Sequence, residues 1–113
     1  MNETNWAAEF GAAITVCDAQ AVILEMNARA VKTFEKYGGE SLIGKSLLEC
    51  HPEPARSKLV SMMAEKKANS YTIEKNGVKK LIHQAPWYRD GSYMGFVEIS
   101  IELPPQMPHY VRK

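Results

Sequence analysis

The sequence predicts an α+β fold, a five-stranded antiparallel sheet with short helices and one longer helix packed on one face. Three observations predict it. Two short apolar runs sit near the N-terminus, at Ala13–Cys17 and Val22–Met26. The middle third carries apolar residues near helical spacing. The last third changes to period-two alternation, cut by Asn76-Gly77 and Asp90-Gly91, two strong hairpin signals.

Each element has its own warrant. Asn2 to Gly11 carries Trp6, Ala7, Ala8 and Phe10 in a short helix-compatible run that Gly11 ends, too short to stand without docking on something. Ala13–Cys17 and Val22–Met26 read as strands joined by a turn at Asp18–Ala21. Asn27 is placed to cap a helix bearing Ala28, Ala30, Val31, Phe34 and Tyr37, which Gly38-Gly39 stops. Leu42, Ile43, Leu47 and Leu48 need burial, which short helical turns around Gly44 would provide. Pro54 opens the longer helix, whose Ala55, Leu59, Val60, Met62 and Met63 make one apolar face, with Arg56, Ser57, Lys58 and Lys66 outward. Ser70–Lys75, Val78–Trp87 and Ser92–Leu103 are three antiparallel strands, and Pro104-Pro105 ends the last.

The 113 residues make one ordinary domain, with 45% hydrophobic and 24% charged residues. Fourteen Lys and Arg against 13 Asp and Glu leave a formal charge of +1, which lacks the basic footprint of a nucleic-acid binder. No apolar run approaches the ~20 residues of a membrane helix. Met1–Thr4 has no signal-peptide character. Cys17 and Cys50 are too few for a disulfide framework and form no C-x-x-C pair. A cytoplasmic protein with reduced thiols is expected. Gly39–Ser46 matches the phosphate-loop pattern literally, but it follows a helical segment rather than a strand, and Pro52 comes six residues later. Zinc-type ligand spacing, a nucleophile elbow and paired catalytic carboxylates are absent from the sequence. An enzyme using His51 as acid or base would have only Glu49 and Glu53 as obvious partners.

The order of elements resembles the PAS domain, a sensory module of about this length, over nearly the whole chain. Val22–Asn27 looks like the family's second strand, with Asn27 where the first helix begins. Leu42-Ile43-Gly44-Lys45-Ser46 resembles the signature between its short helices. Asp90–Glu98 resembles its closing hairpin and strand. The chain is expected to divide into an N-terminal helical cap at residues 1–12, a PAS-like sensory domain at 13–104 and a C-terminal tail at 105–113. The resemblance implies a small molecule or cofactor between sheet and helices, or partner binding through the sheet's outer face.

Strand register sorts the candidate residues. With two-residue turns, Lys75 pairs with Val78 and Arg89 with Ser92, so Tyr71, Ile73, Ile82, Gln84, Val97, Ile99 and Ile101 share the face under the helices. A one-residue slip in either turn would exchange the faces. Gln84 is then the polar group aimed at a pocket, and Ile82, Val97 and Asn27 join it as candidate lining. His51 has two readings, a hydrogen-bonded turn residue at the start of the longer helix or an axial ligand if haem is bound. A flavin adduct is disfavoured, because Leu47 occupies the place comparable to the reactive cysteine and Cys50 comes three residues late. The opposite face collects Leu81, His83, Trp87, Met94, Phe96 and Glu98, with His83 facing Glu98. Leu81, Trp87, Met94 and Phe96 would be an apolar patch, covered partly by Trp6 and Phe10 and partly by a second copy of the chain. His109 and the Lys66-Lys67 and Lys79-Lys80 pairs read as solvated surface.

The expectation is therefore a non-catalytic sensory domain, a homodimer that takes a small molecule in its core and signals to an output protein, with no nucleic-acid or membrane partner. The alternative is a ligand-free homodimeric interaction module.

Overall fold

The computed structural model describes residues 5–49 and 51–113. Five antiparallel strands form one sheet in the order β2-β1-β5-β4-β3: β1 (Ala13–Asp18), β2 (Ile23–Met26), β3 (Asn69–Lys75), β4 (Val78–Arg89) and β5 (Ser92–Leu103). The first and last strands thus lie side by side. Two α-helices, α1 (Ala28–Thr33) and α2 (Ala55–Glu65), and single 3₁₀ turns at Glu35–Tyr37 and Gly39–Leu42 make up the rest.

The turns follow from the side chains. Asp18 Oδ1 accepts the backbone N–H groups of Gln20 and Val22, which closes the β1–β2 turn. Asn76-Gly77 and Asp90-Gly91 all have positive φ, the geometry that matches the twist of paired strands. The first helix is shorter than expected: it ends at Thr33 and tightens into a 3₁₀ turn before left-handed Gly38. Residues 6–9 form a turn rather than a helix. The stretch around Gly44 is partly an edge contact instead of helical turns. Gly44 N–H donates to Ile23 O, Ile23 N–H to Lys45 O and Leu47 N–H to Ala21 O. With Ser41, Ile43 and Lys45 also donating within the loop, the phosphate-loop look-alike has these N–H groups committed to the protein itself.

The core gathers at one end, where Met63 of α2 meets Cys17, Ala21 and Phe96, with Leu59, Met62 and Tyr93 beside them. Pro54 sits one residue outside α2 as its N-cap, and Lys66 closes the helix in the left-handed region. Val60, placed by the sequence on the apolar face, is exposed.

One register differs from expectation and reverses half a strand. Arg89 faces Ser92 and Tyr88 faces Tyr93 as the two-residue turn requires, but Trp87 then faces Gly95, leaving Met94 as the extra residue of a β-bulge. Beyond it Phe96, Glu98 and Ser100 turn toward the helices, while Val97, Ile99 and Ile101 alternate to the outer face. Gln84 faces Glu98, and His83 faces Ile99 rather than Glu98. His83 Nδ1 pairs instead with the Ser70 hydroxyl at 2.6 Å. The turn is as expected, and the bulge alone exchanges the faces.

Candidate functional site

Between the inner face of the sheet and the helical side lies a cavity of about 730 Å³. Phe34, Leu42, Leu47, Leu59 and Met62 line it from the helical side and Ile82 and Phe96 from the sheet, so most of its wall is apolar. That volume falls within the range of small-molecule sites.

A polar row crosses the floor. Thr15, Glu98, Gln84 and Asn69 are in register across β1, β5, β4 and β3. The Asn69 amide donates to Gln84 Oε1 at 3.2 Å, and the Gln84 amide donates to Glu98 Oε2 at 2.7 Å. This chain fixes which way the Gln84 amide points, since its oxygen receives and its nitrogen gives. One row on, Ser100, Ile82 and Tyr71 are in register, and all three line the cavity. Burial raises the Tyr71 phenol pKa, and the nearby Glu98 charge raises it further. Lys80 lines the cavity a row further on, opposite Ile73.

His51 lines the cavity from the helical side. Its Nδ1 lies 2.6 Å from the Leu47 carbonyl oxygen, an acceptor only, so Nδ1 carries the proton and the neutral ring's lone pair is at Nε2. Cys50, weighed for a flavin adduct, lies outside the described residues.

Of the residues singled out for the cavity, His51, Gln84 and Ile82 line it, and Val97 only borders it, because its side chain alternates to the outer face. Asn27 does not. It is 8% exposed, and its side chain is committed four times over: Oδ1 accepts from Ile14 and Ala30 N–H, and Nδ2 donates to the Ala7 and Ala12 carbonyls. It is a cap that also ties the N-terminal segment to β1. Glu98 was missed as a cavity residue because the bulge was missed. Gly95, a glycine inside a strand, was the available signal.

The interface candidates divide. Phe96 is 5% exposed and belongs to the core, not to the outer face. Leu81 and Trp87 remain on the outer face, half-buried, now beside Val97, Ile99 and Ile101, and half-buried Met94 is the bulge residue. The Trp87 indole N–H donates to the Cys17 carbonyl at 3.1 Å, reaching across β5 at Gly95. Trp6 and Phe10, expected to cover part of this face, pair edge-to-face with each other at 5.6 Å and stay 65% and 50% exposed. Phe10 borders a shallow groove with Ala28, Arg29 and Lys32 of α1.

Cys17 is buried, and burial raises its thiol pKa, which makes it an inert packing group. Among the described residues, no three His, Cys, Asp or Glu side chains cluster as a metal site, and no helix is long and apolar enough to cross a membrane.

Comparison with known proteins agrees with this architecture. No curated protein sequence matches the chain. Among solved structures, the PAS domain of BvgS from Bordetella pertussis superposes with a TM-score of 0.66 at 17% identity, covering 88% of this chain and 82% of that one. A sensory box sensor histidine kinase from Vibrio cholerae gives 0.61 at 16% identity, covering 91% and 90%. The Aer2 receptor from Vibrio cholerae, described as a dual PAS-heme oxygen sensor, gives 0.60 at 12% identity, covering 82% and 95%. The family model for the PAS fold matches residues 8–103, and with the sheet order, the capped first helix and the closing hairpin in place, the chain belongs to the PAS-fold family.

Proposed function

We propose that this PAS domain is a non-catalytic sensor that takes a small molecule into the cavity between sheet and helices and signals as a homodimer through the sheet's outer face. The cavity carries the reading. About 730 Å³ of mostly apolar wall surrounds a floor whose polar groups are already oriented by one another, the composition of a ligand site rather than of a packed core. Occupancy would shift the packing of the helical side on the sheet, and the outer face would carry the change to a second copy and an output protein. The outer face supports the dimer, because Leu81, Val97 and Ile99 are half-buried and Ile101 is exposed on one contiguous surface. The alternative, a ligand-free homodimeric interaction module, shares that surface and differs in the cavity.

Native mass spectrometry of freshly purified protein tests the cavity reading. A bound mass released on denaturation supports it. A protein that carries no mass and is not stabilised by any member of a metabolite panel sinks it and leaves the interaction module.

Haem is a second reading, favoured by the Leu47–His51 hydrogen bond. A histidine held through Nδ1 by a carbonyl, with no partner at Nε2 among the described residues, has the donor set of a proximal ligand, so the residues present fit the group. His51 would be the axial ligand, and haem would supply binding of a diatomic gas. A Soret band that His51→Ala abolishes supports this reading. A colourless protein that also fails to bind added haemin overturns it.

A further inference from the structure

Glu98 is the one carboxylate among the described residues that lines the cavity. Among the described residues it receives a single neutral hydrogen bond, from Gln84, at Oε2. The only ion pair among the described residues joins Lys67 to Glu65, so no described Lys, Arg or His neutralises Glu98. Lys80, the cavity's one lysine, stands four residues along β4 from Gln84, about 13 Å at strand spacing. Thr15 and Gln84 flank Glu98 in register, and Tyr71 lies close enough for the Glu98 charge to act on its phenol.

A carboxylate facing an apolar space is costly unless it is paired and hydrogen-bonded, and one amide N–H is a small part of what it can accept. The Asn69–Gln84 relay turns a donor toward Glu98 Oε2 and so holds the carboxylate in place while leaving its other oxygen without a donor among the described residues. The complementary ligand brings N–H donors and positive charge to that oxygen and lays an apolar body against Phe34, Leu42 and Ile82.

We propose that the cavity selects small molecules bearing a protonated nitrogen, as an ammonium, amidinium or guanidinium head on an apolar body, with Glu98 as the residue that recognises the head. This rests on the reading of the cavity as a ligand site and names its ligand class. The distant Lys80 leaves the Glu98 end electronegative, so a carboxylate head is disfavoured there.

The test uses three probes of similar shape, 2-phenylethylamine, 2-phenylethanol and 3-phenylpropionate, titrated into the nitrogen-15-labelled whole chain at neutral pH and physiological salt. The expected result is that the amine shifts the amides of Tyr71, Ile82, Gln84 and Glu98 and binds about tenfold or more tightly than the other two, the scale of one charge-assisted contact. In Glu98→Gln, which keeps the shape and drops the charge, the amine should fall to the level of the alcohol while the alcohol is unchanged. The wild-type series stands even if that variant folds poorly. Equal binding of all three probes, preference for the carboxylate, or an amine preference that survives in folded Glu98→Gln overturns the proposal and leaves the cavity reading intact. Failure of all three to move any cavity amide overturns this proposal as well, while the cavity reading stands or falls on native mass spectrometry and the metabolite panel.

Discussion

Gly95 of β5 lies so close to Cys17 of β1 that a Cβ at position 95 would overlap the Cys17 carbonyl oxygen and stand 2.7 Å from the Asp18 carbonyl carbon. At φ +146 the residue also adopts a backbone conformation that L side chains rarely reach. Gly95→Ala should therefore destabilise the fold by about 3 kcal/mol or more, since backbone rather than a movable side chain blocks the space. Gly11→Ala, where a Cβ meets nothing within 4 Å, should stay within about 0.5 kcal/mol. Urea denaturation of both variants checks the pair, and similar midpoints would contradict this bulge.

Asn27 offers a test of four hydrogen bonds at once. Asn27→Ala leaves the Ile14 and Ala30 N–H groups and the Ala7 and Ala12 carbonyls without this partner, at a cost of about 2–4 kcal/mol. Asn27→Asp separates this role from ordinary capping. Aspartate is a good N-cap, but here it would aim an oxygen at two carbonyls where an amide now donates. Thermal unfolding should show both variants destabilised, and a wild-type melting temperature for Asn27→Asp would refute the stitching role.

Tyr93 should make the fold sensitive to alkali. Its hydroxyl is buried with no hydrogen-bond partner among the described residues, and burial, then Cys17 and Tyr88, push its pKa above the ordinary phenol value. The unfolded chain loses that proton first as pH rises, so it binds fewer protons than the native state. Stability is full below the unfolded value of about 10 and falls as pH climbs toward the native value. Tyr93→Phe should flatten this decline, with Tyr71, raised in the same direction, leaving a residual slope. At pH 7 the variant should be unchanged or more stable by up to about 1 kcal/mol, because an unpaired hydroxyl is removed. Denaturation at pH 7 and at pH 10.5 decides it, and an equal alkaline loss in the variant would refute the assignment.

The proposed dimer places Ile99 near the middle of the outer face, opposite His83 and half-buried. Ile99→Lys sets two charges against each other across a symmetric contact and should raise the dimer dissociation constant at least about tenfold. Its melting temperature in the monomeric state should change little. Sedimentation velocity over a concentration series gives the readout, and a wild-type chain that stays monomeric at high micromolar concentration sinks the dimer.

The helix cap at Asn27, both two-residue turns and all five strands were legible in the sequence, because each depends on residues close together in the chain. That Tyr71, Ile82 and Gln84 share a face was legible too, since Asn76-Gly77 fixes the β3–β4 register, but the choice of that face as the inner one leaned on Val97, Ile99 and Ile101, which lie on the other. The faces of Phe96 and Glu98 were not legible. The alternation of Val97, Ile99 and Ile101 against Glu98 and Ser100 reads with the apolar set inward, the reverse of the structure, and neither Phe96 nor Glu98 carries a local mark of its face.

What decided that face was a contact 78 residues apart. Gly95 must pass the Cys17 and Asp18 backbone of a strand laid down at the start of the chain, and the bulge at Met94 is how β5 accommodates it. Local propensity and turn chemistry determined which segments are strands and where they reverse. The tertiary packing of β5 between β1 and β4 decided which side chains each strand turns inward, and with that it placed a carboxylate rather than a valine on the floor of the cavity.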